Sequence, residues 1–332
     1  MRIATFNLNN LFDRFNFEVQ LDALPSREEI AAQALKVIPD EDGSLGRTDG
    51  GIGGLVKPKP LTERIRLAER IRLLDADVLV VQEVEHRDAL REFNAAAPEH
   101  GGLGGLYSIV VCIDGNDPRR IDVGVLSRIP LGGVTSWQHV IHPELPDRPV
   151  FSRDLLEVDL LDSRFERVVA TCLVTHLKSQ LIPYERGQTA TDRERVERAN
   201  DLLRGRQAEM IARILQRRRL DRPHLVAGDM NDAPDSEPLR PLRDAPTGLV
   251  DGLADPVEEP PYRLAEDDPP QSVRWTHRYR TGGSTSYELF DQLWLDPRAA
   301  ERQTGSGIGR RRRKTTDGSD HDPAWVDLDL PH

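Results

Sequence analysis

Short runs in which apolar and polar residues alternate recur from one end of the chain to the other. Successive side chains of a β-strand point to opposite faces, so a period of two is typical of strands with one buried face. The run Val78–Val81 is continuously apolar, as expected of a strand that is buried on both faces. The segments that we predict as strands are 2–7, 78–82, 106–113, 121–127, 154–161, 167–175, 223–228, 290–295 and 324–330.

Two other segments repeat their apolar residues every three to four positions, which is the period of an α-helix. The first helix is predicted to begin near Thr62, a residue type that caps helix N-termini, and to end at Leu74. The second is predicted from about Arg193 to Arg217. The apolar stripe of this second helix consists of Leu202, Leu203, Met210, Ile211, Ile214 and Leu215.

Three stretches rich in Gly, Pro or charged residues are predicted as loop insertions, near 16–60, 233–272 and 301–318. No repeat and no change of composition divides the chain into two cores, so we predict one domain over residues 1–332. Many strands mixed with few helices predict an α/β (α+β) fold in which two sheets stack and the helices lie outside them.

Charge narrows the classes of function. The 332 residues include 45 Lys and Arg against 56 Asp and Glu, a formal charge of −11. This balance argues against binding of nucleic acid or membranes by bulk attraction, but it allows a local phosphate site. No apolar run has the length of a signal peptide or a membrane span. We therefore expect a cytoplasmic monomer without membrane contact, and nothing in the sequence implies a protein partner. Cys112 and Cys172 lie in apolar runs and are expected to be buried free thiols.

Polar residues collect where the predicted strands end. Each alone is typical of a turn or a solvated position. Their joint occurrence after six strands instead predicts a polar site between the sheets. The residues concerned are Asn7, Glu83, His176, Lys178, Asp229, Asn231, Asp291, Asp320 and His321.

The order of these motifs resembles the endonuclease/exonuclease/phosphatase superfamily, the phosphoesterases with the deoxyribonuclease-I-like fold. The resemblance covers nearly the whole chain and implies a four-layer sandwich of two mostly antiparallel β-sheets flanked by helices. It also implies metal-dependent hydrolysis of phosphoesters. The matching motifs are TFN at 5–7, QEVE at 82–85, VGVLSR at 123–128, THLKS at 175–179, GDMND at 228–232, DQLWLD at 291–296 and SDHDP at 319–323.

The resemblance implies a metal site and an acid–base apparatus. Asn7, Glu83 and Asp320 would supply oxygen ligands, directly or through water, a donor set that suits Mg²⁺ or Mn²⁺. Asp229 would orient and deprotonate the attacking water, and Asn231 would position that water or bind the phosphate.

Two histidines complete the implied site. His321 and Asp291 resemble the His–Asp pair of the family, with His321 acting either as a base or as a cationic stabiliser. His176 would contact a non-bridging phosphate oxygen.

Three cationic features have two interpretations each. Lys178 is either a phosphate ligand or a solvated loop residue, and Arg153 is either a phosphate ligand or a structural partner of a carboxylate. The basic run 310–314 directly precedes the SDHDP motif. It either binds an anionic polymer at the site or remains a solvated loop.

The leading hypothesis for the function is a nuclease that cleaves phosphodiester bonds in DNA or RNA. One alternative is a phosphatase or phosphodiesterase acting on a small or lipid-linked phosphoester of the inositol phosphate or sphingomyelin type. Another is a non-catalytic scaffold that retains the fold. The choice between DNA and RNA, and between endonuclease and exonuclease action, stays open.

Overall fold

The computed structural model describes residues 1–12, 16–17, 55–56, 58–182, 189–244, 246–259, 272–281, 284–311 and 317–331. The strands of this part of the chain are β1 (Arg2–Leu11), β2 (Asn16–Phe17), β3 (Leu55–Val56), β4 (Val78–Val84), β5 (Ile109–Cys112), β6 (Asp122–Ser127), β7 (Leu131–Ser136), β8 (Leu155–Leu161), β9 (Val168–His176), β10 (His224–Asp229), β11 (Val250–Asp251), β12 (Val257–Glu258), β13 (His277–Thr281), β14 (Ser284–Glu288), β15 (Asp291–Leu295), β16 (Gln303–Ile308) and β17 (Ala324–Leu328). Its α-helices are α1 (Leu61–Leu74), α2 (Arg87–Ala95), α3 (Ala190–Arg218), α4 (Arg240–Arg243) and α5 (Pro297–Ala300), and a 3₁₀ turn spans Pro98–His100.

Thirteen of these strands form two large sheets. The first sheet has the order β12-β16-β17-β1-β4-β6-β5, and the second has the order β11-β15-β10-β9-β8-β7. Neighbouring strands are antiparallel except in the pairs β1/β4, β9/β10 and β12/β16. The prediction of two mostly antiparallel sheets is confirmed.

Three apolar clusters determine the order of the layers. Val80 of β4 and Val174 of β9 belong to the cluster between the two sheets. On the outer face of the first sheet, Val81 packs with residues of α1 and α2. On the outer face of the second sheet, Val226 packs with Ile211 of α3. Helices therefore cover both sheets, which gives the four layers that the resemblance implied.

The predicted helices form, but their details differ. α1 follows Pro60, and no side chain caps it, so the prediction of Thr62 as its cap is wrong. α3 begins three residues earlier than predicted because Thr189 and Asp192 form a capping box. Leu202, which was placed in the apolar stripe, is 58% exposed.

The loop prediction for 301–318 is wrong in its first part, because β16 occupies Gln303–Ile308 and pairs with β17. One of the glycines that suggested a loop, Gly307, leaves space for the side chain of Trp325. A Cβ at Gly307 would approach the ring of Trp325 to 2.6 Å, so the strand requires glycine there. The predicted loop 233–272 likewise contains α4, β11 and β12. Residues 260–271, most of 16–60 and 312–316 lie outside the described part.

Cys112 and Cys172 are free and buried, as predicted. Burial raises the pKa of the Cys172 thiol to about 12, which keeps it protonated and unreactive. Among the helices of the described residues, none combines the length and apolarity needed to cross a membrane.

Candidate active site

The predicted site residues meet at one edge of the two sheets. β1 and β4 run parallel in the first sheet and β9 and β10 run parallel in the second, so each pair ends on the same side. Asn7 lies on β1, His176 ends β9, and Asp229 ends β10. The Asn7 Nδ2 donates to Asp229 Oδ2 at 2.9 Å, and this hydrogen bond joins the sheets at the centre of the site.

The close approach of β10 to β9 depends on Gly228, the penultimate residue of β10. Its φ is +148°, and a Cβ there would lie 1.9 Å from the carbonyl oxygen of Thr175 on β9. Only glycine allows this approach of the two strands, which brings Asp229 beside His176. The glycine of the GDMND motif is therefore a requirement of the site geometry.

Glu83 reaches the site through an irregularity of β4. Its φ is +60°, and the register of β4 against β6 shifts between Gln82 and Val84. A left-handed conformation costs a residue other than glycine about 1–3 kcal/mol, so the surrounding structure must enforce it. The Glu83 carboxylate accepts the backbone N–H of Asn10 at 3.0 Å and the Asn7 Nδ2 at 3.3 Å. The bulge thus redirects this carboxylate toward Asn7.

Asn7 acts in this structure as a donor that bridges two carboxylates. Its Oδ1 accepts the backbone N–H of Asn9 at 2.9 Å, while its Nδ2 faces Glu83 and Asp229. A metal ligand must offer the amide oxygen, and Oδ1 keeps a second lone pair for a cation while it accepts the N–H of Asn9.

His321 and Asp291 form a close buried pair. His321 Nδ1 lies 2.6 Å from Asp291 Oδ2, and His321 Nε2 lies 3.9 Å from Asp229 Oδ2. Ser319 fixes the backbone here, since its hydroxyl donates to the Asn7 carbonyl and accepts the His321 N–H. Burial alone would lower the pKa of His321, but the charge and hydrogen bond of Asp291, with Asp229 and Asp320, raise it to about 10. The imidazole is therefore cationic near neutral pH.

His176 and Asp229 face each other across β9 and β10, with His176 Nε2 3.5 Å from Asp229 Oδ2. Burial and the nearby cations Arg153, His321 and Arg119 hold the pKa of His176 well below its usual range, so this imidazole is neutral. Burial also raises the pKa of Asp229, against the lowering effect of the His321 charge. The two histidines thus carry different charges at the same site.

Asn231 lies two residues beyond Asp229 in a left-handed conformation, with φ +52°. Its backbone N–H donates to Asp229 Oδ1 at 2.9 Å, and its Nδ2 donates to the carbonyl of Leu177 at 3.1 Å. Both bonds hold the side chain beside the Asp229 carboxylate.

The donor set of the site fits a hard divalent cation. The carboxylates of Glu83 and Asp229 both accept from the Asn7 amide, the Asp320 carboxylate lies near His321, and no thiol is among the predicted site residues. All-oxygen sets of this kind suit Mg²⁺ or Mn²⁺. Lys59, which the sequence analysis did not consider, is also near: its Nζ donates to the carbonyl of Gly318 at 2.7 Å, and its charge interacts with Asp320 and Glu83.

Three cations lie on the β9 side of the site. Arg153 is buried, with its Nε 2.9 Å from Asp117 Oδ2 and its Nη1 donating to the Leu177 carbonyl at 3.1 Å. Lys178 is half-buried, and among the described residues its ammonium has no hydrogen-bond or ion-pair partner. Burial and the charges of Arg153 and Arg119 lower the pKa of Lys178. Arg119, in the loop before β6, was not among the predicted site residues.

The basic run 310–314 begins inside the protein. Arg310 and Arg311 are buried and pair with the Asp322 carboxylate, each at 3.2 Å, and Arg70 donates to the same carboxylate at 2.6 Å. Arg310 and Arg311 are therefore neither solvated loop residues nor ligands of an anionic polymer. Their charge is needed by the fully buried carboxylate of Asp322. Residues 312–314 lie outside the described part of the chain.

Comparison with known proteins gives a consistent set of similarities. A family model described as "Endonuclease/Exonuclease/phosphatase family" matches residues 4–321. An endonuclease/exonuclease/phosphatase from Bacteroides vulgatus has a TM-score of 0.55 and 14% identity, with 99% of this chain and 98% of that chain covered. An AP endonuclease from Archaeoglobus fulgidus has a TM-score of 0.53 and 16% identity, with 99% of both chains covered.

TDP2 of D. rerio complexed with a single strand DNA product has a TM-score of 0.50 and 16% identity, with 80% and 91% covered. The comparison with curated protein sequences gave no significant match.

Proposed function

The chain belongs to the endonuclease/exonuclease/phosphatase family, and we propose that it hydrolyses phosphodiester bonds of DNA or RNA with a divalent cation. One observation supports this most strongly: His321, held by Asp291 at 2.6 Å, and His176 both face the carboxylate of Asp229. Such a set combines a proton acceptor with donors for an anionic, in-line transition state.

Each residue has a distinct task in the proposed reaction. Asp229 accepts a proton from the water that attacks phosphorus, and Asn231 holds that water in line with the leaving oxygen. The Nε2–H of His321 stabilises charge on the phosphoryl group, while Asp291 keeps the ring oriented and charged. His176 donates a hydrogen bond to a non-bridging oxygen.

Glu83 and Asp320 are the carboxylates that would hold the cation, joined by the amide oxygen of Asn7, which has a second lone pair beside the one used by Asn9. A bound Mg²⁺ or Mn²⁺ would supply positive charge that stabilises the anionic transition state. The bulge at Glu83 and the hydroxyl of Ser319 position these ligands before any ion binds.

The proposed substrate class rests on local charge. A formal charge of −11 repels polyanions at long range, so binding of a nucleic acid depends on cations close to the site. On the β9 side, Lys178 is a cation without a partner among the described residues. Arg153 is a positioning residue in this proposal, because its guanidinium is already bonded to Asp117 and the Leu177 carbonyl. The fold neighbours named as an AP endonuclease and as TDP2 with single strand DNA support a nucleic acid substrate.

The test compares three substrates. The protein is incubated with plasmid DNA, with a structured RNA and with bis-p-nitrophenyl phosphate, each with Mg²⁺, Mn²⁺ or EDTA. We expect cleavage of a nucleic acid and of the small diester with either metal, and no cleavage with EDTA. Activity that survives EDTA contradicts the metal requirement. Hydrolysis of the small diester alone contradicts the nuclease proposal and favours a small or lipid-linked phosphoester.

A further inference from the structure

His277 takes no part in the proposed reaction, yet it touches the site. It begins β13, and its ring packs nearly parallel to Phe290, with centroids 5.1 Å apart and planes at 15°. Its ring centroid lies 4.7 Å from that of His321. A backbone bridge joins His277 to His321, and the N–H of Asp322 donates to the carbonyl of Thr276 at 2.6 Å. Backbone and ring contacts therefore fix His277 beside the segment that carries Asp320 and His321.

Three potential ligand atoms converge at this place. His277 Nε2 lies 3.6 Å from Asp320 Oδ2, and one ligand atom from each of His277, Asp320 and His321 lies within 4.8 Å of the others. Atoms bound to one tetrahedral Zn²⁺ at about 2.0–2.2 Å are roughly 3.3–3.6 Å apart. If side-chain rotation moves these ligand atoms by about one ångström, all three reach bonding distance of a single ion.

Two of the three donors, His277 and Asp320, are partly exposed to solvent, and the third, His321, is buried behind them. His321 uses Nδ1 for Asp291, so Nε2 becomes the ligand atom when its proton is released to solvent on binding of the ion. The result is the carboxylate–histidine arrangement common around metal-bound imidazoles. The Asp320 side chain is 42% exposed and the His277 side chain 15% exposed, so an ion can enter from solution.

The chemistry of this set differs from that of the oxygen site. Two imidazole nitrogens and one carboxylate suit borderline ions such as Zn²⁺ and Co²⁺, whereas Mg²⁺ is bound by oxygen ligands. Three protein ligands leave at least one position for water, as in open zinc sites.

We propose that His277, Asp320 and His321 bind a borderline divalent cation such as Zn²⁺, and that its binding inhibits the enzyme. Binding stands on the geometry alone, whereas inhibition rests on the proposed function. Asp320 is one of the proposed Mg²⁺ ligands, and His321 Nε2 faces the phosphate, so an ion held by all three residues blocks both roles at once.

The binding test uses the full chain and two metals as probes. Co²⁺ is titrated while its visible absorption is recorded, and Zn²⁺ is titrated by calorimetry in the presence of millimolar Mg²⁺. The variant is His277→Asn, and the matched control is His100→Asn, which changes an exposed histidine at the Pro98–His100 turn. We expect one tight site in the wild type and in the control. His277→Asn is expected to bind at least about 10-fold more weakly and to lose the absorption of low-coordinate Co²⁺.

The inhibition test measures Mg²⁺-supported diester hydrolysis against Zn²⁺ concentration. We expect His277→Asn to keep the rate without Zn²⁺ within about twofold and to need at least about 10-fold more Zn²⁺ for half inhibition. Equal Zn²⁺ affinity in the wild type and His277→Asn overturns the proposed site. Zn²⁺ bound through His277 without loss of hydrolysis overturns the inhibition. Tight binding through His277 in a protein without any diesterase activity contradicts the proposed function and leaves the binding site standing.

Discussion

Removal of the Asp322 carboxylate is the perturbation with the clearest structural consequence. Asp322 is fully buried and accepts from Arg70 at 2.6 Å, while Arg310 and Arg311 each lie 3.2 Å away. Asp322→Asn keeps the shape of the side chain but removes the charge that compensates three buried guanidinium groups. Two of these arginines also hold the site segment, since Arg70 donates to the carbonyl of His321 at 3.0 Å and Arg311 to that of Asp320 at 2.6 Å.

The expected loss can be bounded from these contacts. A hydrogen bond to a charged group contributes about 1.5–3 kcal/mol. Three such bonds do not add fully, because Arg310 retains Glu258 at 3.0 Å and the carbonyl of Trp275. Breaking a buried ion pair from one side costs about 3–5 kcal/mol, and we expect a loss of free energy of unfolding in this range. That is a large part of the usual 5–15 kcal/mol.

The assay is urea unfolding followed by tryptophan fluorescence, since Arg310 lies 3.9 Å above the Trp275 ring. The matched control is Asp327→Asn, which removes a half-buried carboxylate paired with Arg2 at 2.9 Å near the protein surface. We expect the control to lose at most about 1 kcal/mol. A loss for Asp322→Asn no larger than that of the control would refute the assignment of Arg310 and Arg311 to the protein interior.

Three other predictions each concern a single residue. Gly228→Ala should abolish activity and lower the unfolding midpoint sharply in urea, because its Cβ would lie 1.9 Å from the Thr175 carbonyl oxygen; a normally folded, active variant contradicts this. Lys178→Ala should weaken oligonucleotide binding and reduce the slope of log affinity against log salt by about 1, while hydrolysis of bis-p-nitrophenyl phosphate is retained. An unchanged slope would show that Lys178 is a solvated residue that does not bind phosphate. Burial raises the pKa of Asp154 to about 6, so its ionisation costs stability as pH rises from about 4 through 6. Asp154→Asn should therefore gain about 1–2 kcal/mol relative to the wild type between pH 4.5 and pH 7.5 in denaturant titrations, and a constant difference would contradict that sign.

The sequence predicts those parts of the fold in which burial leaves an alternating or a continuously apolar pattern. β4 and β9 are apolar because they lie between layers, and their apolar runs identify them without knowledge of their partners. The hairpin of β13 and β14 pairs HRYRT with STSYE, and such polar strands carry no comparable signal. β16 was missed for a different reason, since its composition resembles a loop while Gly307 is needed for the ring of Trp325.

In the candidate site, too, some features are predictable from the sequence and others depend on tertiary structure. The motifs point to Asp229, Asp291 and His321 as candidate site residues, because residue type and the order of the motifs can be read directly from the sequence. The left-handed Glu83 and the contact of Asn7 with both sheets depend on tertiary structure, which no local pattern records. The run 310–314 was misjudged in part because the partner of Arg310 and Arg311, Asp322, is recognisable as a buried anion only in three dimensions.

The most direct test of the central claim is the rate of Mg²⁺-dependent bis-p-nitrophenyl phosphate hydrolysis by wild type and Asp229→Asn. The two proteins are first shown to have the same urea midpoint. Asn is similar in size to Asp but cannot take a proton from water, so the proposed role predicts a fall of about 10²–10⁴-fold in turnover. A rate within a few-fold of the wild type would show that hydrolysis does not use this carboxylate, and it would contradict the assigned site.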